Sequence, residues 1–349
     1  MTRPRVLVTL WGLERLGRYR PQLEALQKHV DLHVLYYHPA LEIDVDGVTW
    51  TKIGPPNGDI VSFRDVYEPV REAAMELPDV DVILAFSRPS SVQLLDVVLK
   101  TLLRKPIVLR AIGKGSEVRS HWMGASLVKA FSDAMDVVTL NNYDLIVPIS
   151  SSVKAYIEEL VLDEGRVTDP VPIGVETELY VPTPLPDELV VGYAGRISPE
   201  KGAIFMKEVM DLTPETRYEA AGRLQIGDYR FSDNCHYLGE LRQADMPWFI
   251  DRCNVLILPS HSEAMSNVRL QAYSCGRPVI VSTDARVPEI PVFGWALPHE
   301  PDKWAKLIEG LDSREIEEEG RRAREWVCTQ WPSWDDFGRV MCEKIMEVV

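Results

Sequence analysis

The chain has 349 residues, of which 46% are hydrophobic and 26% are charged, and its formal net charge is −15. Because this length exceeds that of one ordinary core, it predicts two domains. The acidic balance extends over both halves and argues against nucleic acid as a main ligand. No apolar run reaches the roughly eighteen residues of a membrane span, and Met1 leads into a strand rather than a signal peptide.

All five cysteines lie in the second half, at positions 235, 253, 275, 328 and 342, without the spacing of a metal site. Their odd number and their scatter fit reduced thiols, so we expect a cytoplasmic location. A basic cluster follows the apolar stretch at 94–103; its members are Arg104, Lys105, Arg110, Lys114 and Arg119. This cluster makes the first domain a candidate for peripheral contact with the inner face of a membrane.

Short apolar runs alternate with helix-like stretches along the first half of the chain, which predicts a Rossmann-like domain. Strands are expected near residues 5–10, 32–37, 48–53, 82–86, 107–111 and 145–149, and helices near 13–28, 66–76, 92–103, 126–138 and 152–160. Pro182, Pro184 and Pro186 then predict a stiff, exposed linker that acts as a hinge.

The first strand ends at Trp11-Gly12, and a glycine there lets the backbone turn tightly into a helix. Gly12 is a candidate contact for a diphosphate, and Trp11 and Arg15 are candidates for the acceptor side of a site. A dinucleotide fingerprint needs three glycines, and only Gly12 and Gly17 are present. We therefore expect no nicotinamide or flavin cofactor.

The stretch 255–290 has the strand, loop, helix and strand order of a parallel sheet. A strand at 255–258 leads into a loop with one carboxylate, Glu263, and a helix follows from Val268. Exposed amides at the start of that helix suit a phosphate, and the carboxylate suits hydroxyl groups. The loop residues Ala264, Met265, Ser266 and Asn267 join Glu263 and Val268 as candidate contacts, and the implied ligand is a nucleotide sugar.

The same stretch resembles the donor-binding core of the retaining GT-B glycosyltransferases of family 4. Glu263 matches the first Glu of their loop motif, and Ala272 and the turn at 275–279 (Cys-Gly-Arg-Pro-Val) match its later positions. The second Glu of that motif is Gln271 here. The resemblance implies that Glu263 holds sugar hydroxyls, and that Gln271 replaces a carboxylate on the ribose with one acceptor and a donor.

Two further segments extend the resemblance. The run at 195–202 (Gly-Arg-Ile-Ser-Pro-Glu-Lys-Gly) corresponds to the family's loop, in which Arg196 and Lys201 would hold the diphosphate. Cations on a loop that precedes a helix can neutralise such a group as charge builds on it. Gly239, Glu240 and Leu241 correspond to the segment that receives the nucleobase.

One departure concerns the family's frequent His-Gly at the end of a first-domain strand. Ile112 stands in place of that His, before Gly113, so an imidazole role there has no counterpart at this position. His121 is the nearest replacement and a candidate catalytic residue, and Arg110 is a second polar group at the end of the strand. Arg110 and Gly113 are therefore assigned to the acceptor side.

The resemblance implies an α/β protein of GT-B fold, with two Rossmann-like doubly wound parallel-sheet domains facing a cleft. We expect an acceptor-side domain at 1–180 and a nucleotide-sugar donor domain at 181–332. A C-terminal helix at 333–349 should pack back on the first domain.

The expected activity is transfer of a hexose from a nucleotide-diphosphate sugar to an acceptor hydroxyl, with retention. The pairs Asp44/Asp46 and Asp79/Asp81 have the Asp-x-Asp spacing of a metal site, but neither ends a strand, so we expect metal-independent transfer. The base, the sugar and the acceptor, whether a glycan, a lipid-linked group or a small molecule, stay open. Two alternatives are a non-catalytic nucleotide-sugar-binding subunit and a sugar-nucleotide 2-epimerase of the same fold.

Overall fold

The structure is a computed structural model that describes residues 3–11, 19–37, 45–53, 64–77, 79–87, 94–114 and 134–349. Two compact units divide the chain. The first combines Met1–Gly174 with Pro332–Val349, and the second is Val175–Trp331. Each unit contains one six-stranded sheet with flanking helices, which is the two-domain α/β fold that the sequence predicts.

The sheet of the first unit is parallel throughout, with the order β3-β2-β1-β4-β5-β6. Its strands are β1 (Arg5–Trp11), β2 (Asp31–Tyr37), β3 (Thr49–Lys52), β4 (Val82–Ser87), β5 (Ile107–Ala111) and β6 (Leu145–Pro148). Consecutive residues Val6, Leu7 and Val8 are all fully buried. Burial on both faces explains why these strands are continuous apolar runs rather than alternating ones.

The helices with defined bounds in the first unit are Arg20–Leu26, Arg64–Glu76, Leu94–Leu103, Ser151–Glu158 and Trp334–Met346. The last of these begins with a capping box between Ser333 and Asp336 and packs against Arg20–Leu26. Gly338 permits the close approach, because a Cβ there would lie 2.5 Å from the Ala25 carbonyl oxygen. The C-terminal helix thus completes the core of the first unit.

Two predicted helices of the first unit fall partly beyond the described residues. The helix expected from residue 13 is described only as Arg20–Leu26, and the one expected at 126–138 is described only from residue 134 to 140. Gly12, Arg15 and His121 lie outside the described residues, as does Asp44 of the first Asp-x-Asp pair.

The second unit repeats the strand order of the first. Its strands are β7 (Val190–Ala194), β8 (Arg217–Ala221), β9 (Cys235–Tyr237), β10 (Val255–Leu258), β11 (Val279–Ser282) and β12 (Gly294–Leu297). They are parallel and run in the order β9-β8-β7-β10-β11-β12. The chain reverses its direction of winding between β7 and β10, and ligands of such sheets bind beyond the carboxyl ends of the strands at that point.

The helices of the second unit are Ala203–Leu212, Met246–Asp251, Asn267–Ser274, Pro301–Glu309 and Ser313–Gln330. Its core lies between these helices and the sheet; it includes Tyr193, Met206, Ile257, Ile280 and Trp304.

The proline-rich stretch at 182–186 is anchored within the second unit. The Arg277 guanidinium is 2% exposed and donates to the carbonyl and hydroxyl oxygens of Thr183 and to the Cys253 carbonyl. The Asn254 amide donates to the Pro186 carbonyl. The predicted hinge segment is therefore held by side-chain hydrogen bonds, and the boundary between the two units lies before it, at Gly174.

A buried carboxylate on β8 gives the second unit a pH-dependent contribution to stability. Glu219 is fully buried, and its carboxylate accepts from Arg217 at 2.7 Å and from Arg252 at 2.6 and 2.8 Å. Burial raises the pKa of Glu219, but the two guanidinium groups outweigh burial and lower it below its usual 4.5. The stabilisation is therefore complete above that value and is lost as the pH falls through the lowered pKa.

We expect Glu219→Gln to lower the free energy of unfolding by about 1–2 kcal/mol at neutral pH, since both arginines are partly exposed and screened. The difference from the wild type should shrink below about pH 4. Urea unfolding of both proteins at neutral pH and below about pH 4 measures this difference in the free energy of unfolding. Glu208→Gln, at an exposed position of Ala203–Leu212, is the control. A deficit that is the same at both pH values would contradict the expectation.

Within the described residues, no helix combines the length and the apolarity needed to cross a membrane.

Candidate functional site

The loop after β7 packs against the loop after β10, at the point where the sheet changes its winding direction. Gly202 has a φ of 73°, and a Cβ there would lie 2.0 Å from the Pro259 carbonyl oxygen. A left-handed backbone and this close approach both require glycine. The contact brings Lys201 next to the polar loop that begins at Ser260.

Lys201 and Glu263 form an ion pair across these two loops. The Lys201 ammonium donates to Glu263 Oε1 at 2.7 Å, and the Ser260 hydroxyl donates to the same oxygen at 2.7 Å. The side chain of Lys201 is 21% exposed and that of Glu263 is 9% exposed. Because both described hydrogen bonds use Oε1, the other carboxylate oxygen is the one that a ligand would meet.

Arg196 has a carboxylate neighbour as well. Its guanidinium lies 3.1 Å from Glu200 Oε1, and the Glu200 side chain is 8% exposed. Neither oxygen of Glu200 accepts a well-aligned hydrogen bond, so the attraction to Arg196 is mainly electrostatic. The Tyr193 hydroxyl donates to the Arg196 carbonyl at 2.6 Å. Burial, with the nearby Glu263 charge, raises the pKa of Tyr193, which keeps this hydroxyl neutral.

Each cation predicted to hold a diphosphate is thus paired with a carboxylate of the same unit. The sequence analysis did not anticipate these pairings, because Glu200 lies within the loop itself and Glu263 is distant in the chain.

A pocket of about 230 Å³ opens at the carboxyl ends of β7 and β8 and at the start of the helix Asn267–Ser274. Six predicted donor residues line it: Arg196, Glu240, Leu241, Asn267, Val268 and Gln271. The other lining residues are Ala194, Gly195, Ala221, Gly222, Arg223, Gln243 and Met246. The structure therefore brings together three segments that the sequence analysis assigned to one ligand.

A repeated tripeptide forms the floor of this pocket. Ala-Gly-Arg begins at the last residue of β7, at 194–196, and again at the last residue of β8, at 221–223, and all six residues line the pocket. Gly222 has a φ of 141°, and a Cβ there would lie 1.7 Å from the Gly195 carbonyl oxygen. The second copy was missed by the sequence analysis, although the repetition itself was a readable signal that two strands end alike.

Gln271 lies at the inner end of the pocket and is 5% exposed. The nearby Tyr180 hydroxyl accepts a hydrogen bond of 2.9 Å from Gln243. Burial raises the pKa of Tyr180, so this group of three side chains is uncharged. Sequence reasoning missed Tyr180 and Gln243, for which no motif gives a signal.

Four further predicted donor residues, Gly239, Ala264, Met265 and Ser266, are not among the residues that line the pocket. Ser266 is the N-cap residue of Asn267–Ser274, and its side chain makes no capping hydrogen bond. Ala264 and Met265 precede it and are partly buried. Gly239 has a φ of 74°, and the space beside its Cα is open.

Arg110, on β5 of the first unit, is fully buried. Its guanidinium lies 5.3 Å from the centre of the Phe337 ring and donates to the Pro148 carbonyl. Burial lowers the pKa of Arg110 to about 9, which leaves the group charged at neutral pH. Arg110 therefore does not belong to an exposed basic surface, and the cluster expected to meet a membrane loses this member.

Only some of the other residues assigned to the acceptor side lie in the described part of the chain. Trp11 is the last residue of β1, and Gly113 follows β5 in the described part of the chain. Ile112, at the position of the family's His, packs against the core of the first unit. Gly12, Arg15 and His121 lie beyond the described ranges.

Comparison with known proteins adds two kinds of likeness. Residues 178–323 match the family described as glycosyl transferases group 1. The chain is 26% identical over 194 residues to D-inositol 3-phosphate glycosyltransferase of Mycolicibacterium gilvum, which covers 48% of this chain and 44% of that protein. It is 30% identical over 114 residues to sulfoquinovosyl transferase SQD2 of Arabidopsis thaliana, and this alignment covers 30% of this chain and 21% of that protein. The chain thus spans less than half the length of these relatives.

Solved structures match over the whole chain. Sucrose-phosphate synthase of Thermosynechococcus elongatus superposes with a TM-score of 0.79 at 16% identity and covers 99% of both chains. HepE of Anabaena, solved in complex with UDP and glucose, superposes with a TM-score of 0.76 at 15% identity, covering 98% of this chain and 99% of that one. At such low identities the superpositions show the fold alone. The family match at 178–323 contains the pocket and the Lys201–Glu263 pair. Residues 178–323 are therefore similar to the glycosyl transferases group 1 family, and the chain has the GT-B fold.

Proposed function

We propose that this protein transfers a sugar from a nucleotide-diphosphate sugar to an acceptor hydroxyl, with retention of anomeric configuration and without a divalent metal. One observation carries the proposal: the pocket and the Lys201–Glu263 ion pair both lie where the second sheet changes its winding direction, between β7 and β10. The pocket suits the nucleoside, and the pair Lys201–Glu263 suits the diphosphate and the sugar.

The diphosphate would meet three kinds of positive group. Arg196 lines the pocket, Lys201 lies on the adjoining turn, and the helix Asn267–Ser274 presents its first amides to the same opening. Amides at a helix start and charged side chains together stabilise a phosphate, most of all when it becomes a leaving group. Because the two side chains are paired with carboxylates, the ligand has to draw them away from their partners.

The sugar would meet Glu263. Its second carboxylate oxygen can accept from a sugar hydroxyl while Oε1 keeps the hydrogen bond from Ser260. A carboxylate beside a phosphate is unfavourable unless it faces donors, and hydroxyl groups supply such donors. This explains why a buried, nearly fully covered Glu belongs in the loop.

The ribose and the base would meet uncharged amide groups in the pocket. Gln271 and Gln243 both offer an amide group near the Tyr180 hydroxyl, so neither adds a charge to the nucleoside region. Gln271 can accept one hydrogen bond from a ribose hydroxyl, where a carboxylate could accept more strongly. Binding of the nucleoside should consequently be weaker than with Glu at this position.

The chemical step needs little from the protein as an acid or a base. The bond between the anomeric carbon and the leaving phosphate oxygen breaks, and the acceptor oxygen bonds to the same face of that carbon. The acceptor proton passes to the leaving phosphate oxygen. Arg196, Lys201 and the helix amides stabilise the charge that develops there, which is the role a divalent metal plays in other transferases. Retention of the anomeric configuration is proposed because the loop motif around Glu263 resembles that of the retaining family 4 glycosyltransferases.

We expect the purified chain to bind one nucleoside class preferentially in a thermal-shift panel of UDP-, GDP-, ADP- and dTDP-sugars. With that donor, product should form, or the donor should hydrolyse slowly, in the presence of EDTA. Nuclear magnetic resonance of the product then reads the anomeric configuration directly.

The outcomes separate the proposal from its alternatives. Binding without transfer or hydrolysis would favour a non-catalytic binding subunit, and conversion of the donor into a 2-epimer would favour an epimerase. Activity lost in EDTA and restored by Mg²⁺ or Mn²⁺ would overturn the metal-independent step, and inverted product would overturn retention.

A further inference from the structure

Three potential metal ligands follow the ends of three neighbouring strands of the second sheet. His261 follows β10, Asp284 follows β11 and His299 follows β12, each within three residues of the end of its strand. These strands are adjacent in the order β10-β11-β12, so their carboxyl ends lie side by side. One ligand atom from each of the three side chains lies within 4.8 Å of the others.

We propose that His261, Asp284 and His299 form a binding site for a divalent transition-metal ion of the zinc type. The site is independent of the proposed transfer reaction, since none of the three residues lines the nucleotide pocket or has been given a part in that reaction. Two imidazoles and one carboxylate are a ligand set that suits Zn²⁺, whereas Mg²⁺ and Ca²⁺ prefer oxygen ligands.

The surroundings of His299 fix the form of its ring. Its Nε2 lies 2.8 Å from the Pro259 carbonyl oxygen, which can only accept, so Nε2 carries the proton. Its Nδ1 faces the Asp284 carboxylate at 3.1 Å and the Ser282 hydroxyl at 3.1 Å. A histidine whose far nitrogen donates to a backbone carbonyl is the arrangement that orients metal-binding imidazoles.

The spacing is close to that of a tetrahedral site. Ligand atoms at about 2.0–2.1 Å from a zinc ion lie roughly 3.3 Å apart. The Nδ1 of His299 and the Asp284 carboxylate are already at 3.1 Å. The three ligand atoms all lie within 4.8 Å of one another, and a water would complete the four ligands.

The two histidine rings stack on each other beside an aromatic ring. The rings of His261 and His299 are nearly parallel, at 17°, with their centres 4.2 Å apart. The edge contact of Phe205 with His299, at 4.9 Å, excludes water from one side of the site.

An ion at this site would hold the loop that carries Glu263. His261 is two residues from Glu263, and the Pro259 carbonyl that orients His299 is also the atom that Gly202 approaches. Metal binding would therefore tie β11 and β12 to the loop between Pro259 and Glu263. The expected role is to stabilise this loop, not to act on the leaving phosphate.

Direct titration of the metal-free full-length chain with ZnCl₂ tests the proposal by calorimetry. Because Cys328 is exposed and thiolates bind zinc, every protein in the experiment carries Cys328→Ser. We expect one strong equivalent of Zn²⁺ and a higher melting temperature in its presence. Mg²⁺ at the same concentration should produce neither effect.

Three variants locate the ion. His261→Ala and Asp284→Asn should each weaken Zn²⁺ binding about tenfold or more, as expected for loss of a ligand. His236→Ala removes an exposed imidazole on β9 and should leave binding unchanged. Co²⁺ in place of zinc should give the intense visible absorption of a four-coordinate ion, and this should vanish in both ligand variants. Failure of the wild-type residues to bind Zn²⁺, or equal binding by all variants, would overturn the proposal.

Discussion

Replacing Glu263 with Gln is expected to lower the rate of sugar transfer by about a hundredfold or more while the fold and the affinity for the free nucleoside diphosphate are kept. The substitution preserves the size of the side chain and one acceptor oxygen, so Ser260 can still donate to it. It removes the negative charge that binds a sugar hydroxyl. If this contact tightens as the sugar becomes positively charged in the transition state, the loss appears in kcat.

The structure also gives a reason to expect that the affinity for the nucleoside diphosphate does not fall. Lys201 is held by Glu263 at 2.7 Å, and a neutral partner holds it less strongly. In the Glu263→Gln variant the Lys201 ammonium is therefore freer to bind a phosphate. Binding of the nucleoside diphosphate should be unchanged or tighter. Loss of both rate and diphosphate affinity would instead indicate a damaged loop.

Single-turnover kinetics and calorimetry with the nucleoside diphosphate measure the two quantities separately. Glu300→Gln is the matched control, since Glu300 pairs with Lys303 on an exposed helix start outside the pocket. A Glu263→Gln protein that transfers sugar at close to the wild-type rate would show that this carboxylate does not hold the sugar.

Sequence reasoning found the features that local chemistry determines. Parallel strands buried on both faces are apolar runs, so β1, β4, β5, β10 and β11 were readable from the chain alone. The loop at 195–202 was also readable, because glycine and proline mark its turns. Six of the predicted donor residues line one pocket, and four of these, Arg196, Glu240, Leu241 and Gln271, were assigned through the family resemblance.

Short strands with polar members were harder to find. β8 carries Glu219, whose charge would argue against a buried strand in any window of sequence. Only its two arginine partners, one of which lies 33 residues away, make that position tolerable. Pairing of this kind depends on tertiary structure and leaves no periodic signal.

The electrostatics of the site were the second feature that the sequence could not give. The sequence predicts Arg196 and Lys201 as two cations available to a ligand. In the structure each of them is paired with a carboxylate of the same unit. The Lys201–Glu263 contact joins residues 62 positions apart, and nothing in either motif specifies it. The pairing changes what a mutation at either position should do, because each group affects the other.

Replacing Lys201 with Met is expected to weaken nucleoside-diphosphate binding by about tenfold or more. Methionine keeps much of the volume of the lysine stem and removes the charge. A charge-assisted hydrogen bond to phosphate contributes about 1.5–3 kcal/mol, which alone gives a factor of ten to a hundred. The variant also leaves Glu263 nearly buried beside the incoming phosphate with Ser260 as its remaining described partner, and the two like charges repel.

The double variant Lys201→Met/Glu263→Gln separates the two effects. If Lys201 acts both by contacting the phosphate and by neutralising Glu263, removing the carboxylate as well should restore part of the lost affinity. Calorimetry with the free nucleoside diphosphate measures all four proteins of the cycle, and Lys207→Met, at an exposed lysine paired with Asp211, is the control. Additive losses would mean that the ion pair seen in the structure does not influence the ligand, and an unchanged affinity in Lys201→Met would remove this lysine from the diphosphate site. Partial recovery would show that the Glu263 carboxylate repels the phosphate once Lys201 no longer neutralises it, so that Lys201 acts on the donor through Glu263 as well as by direct contact.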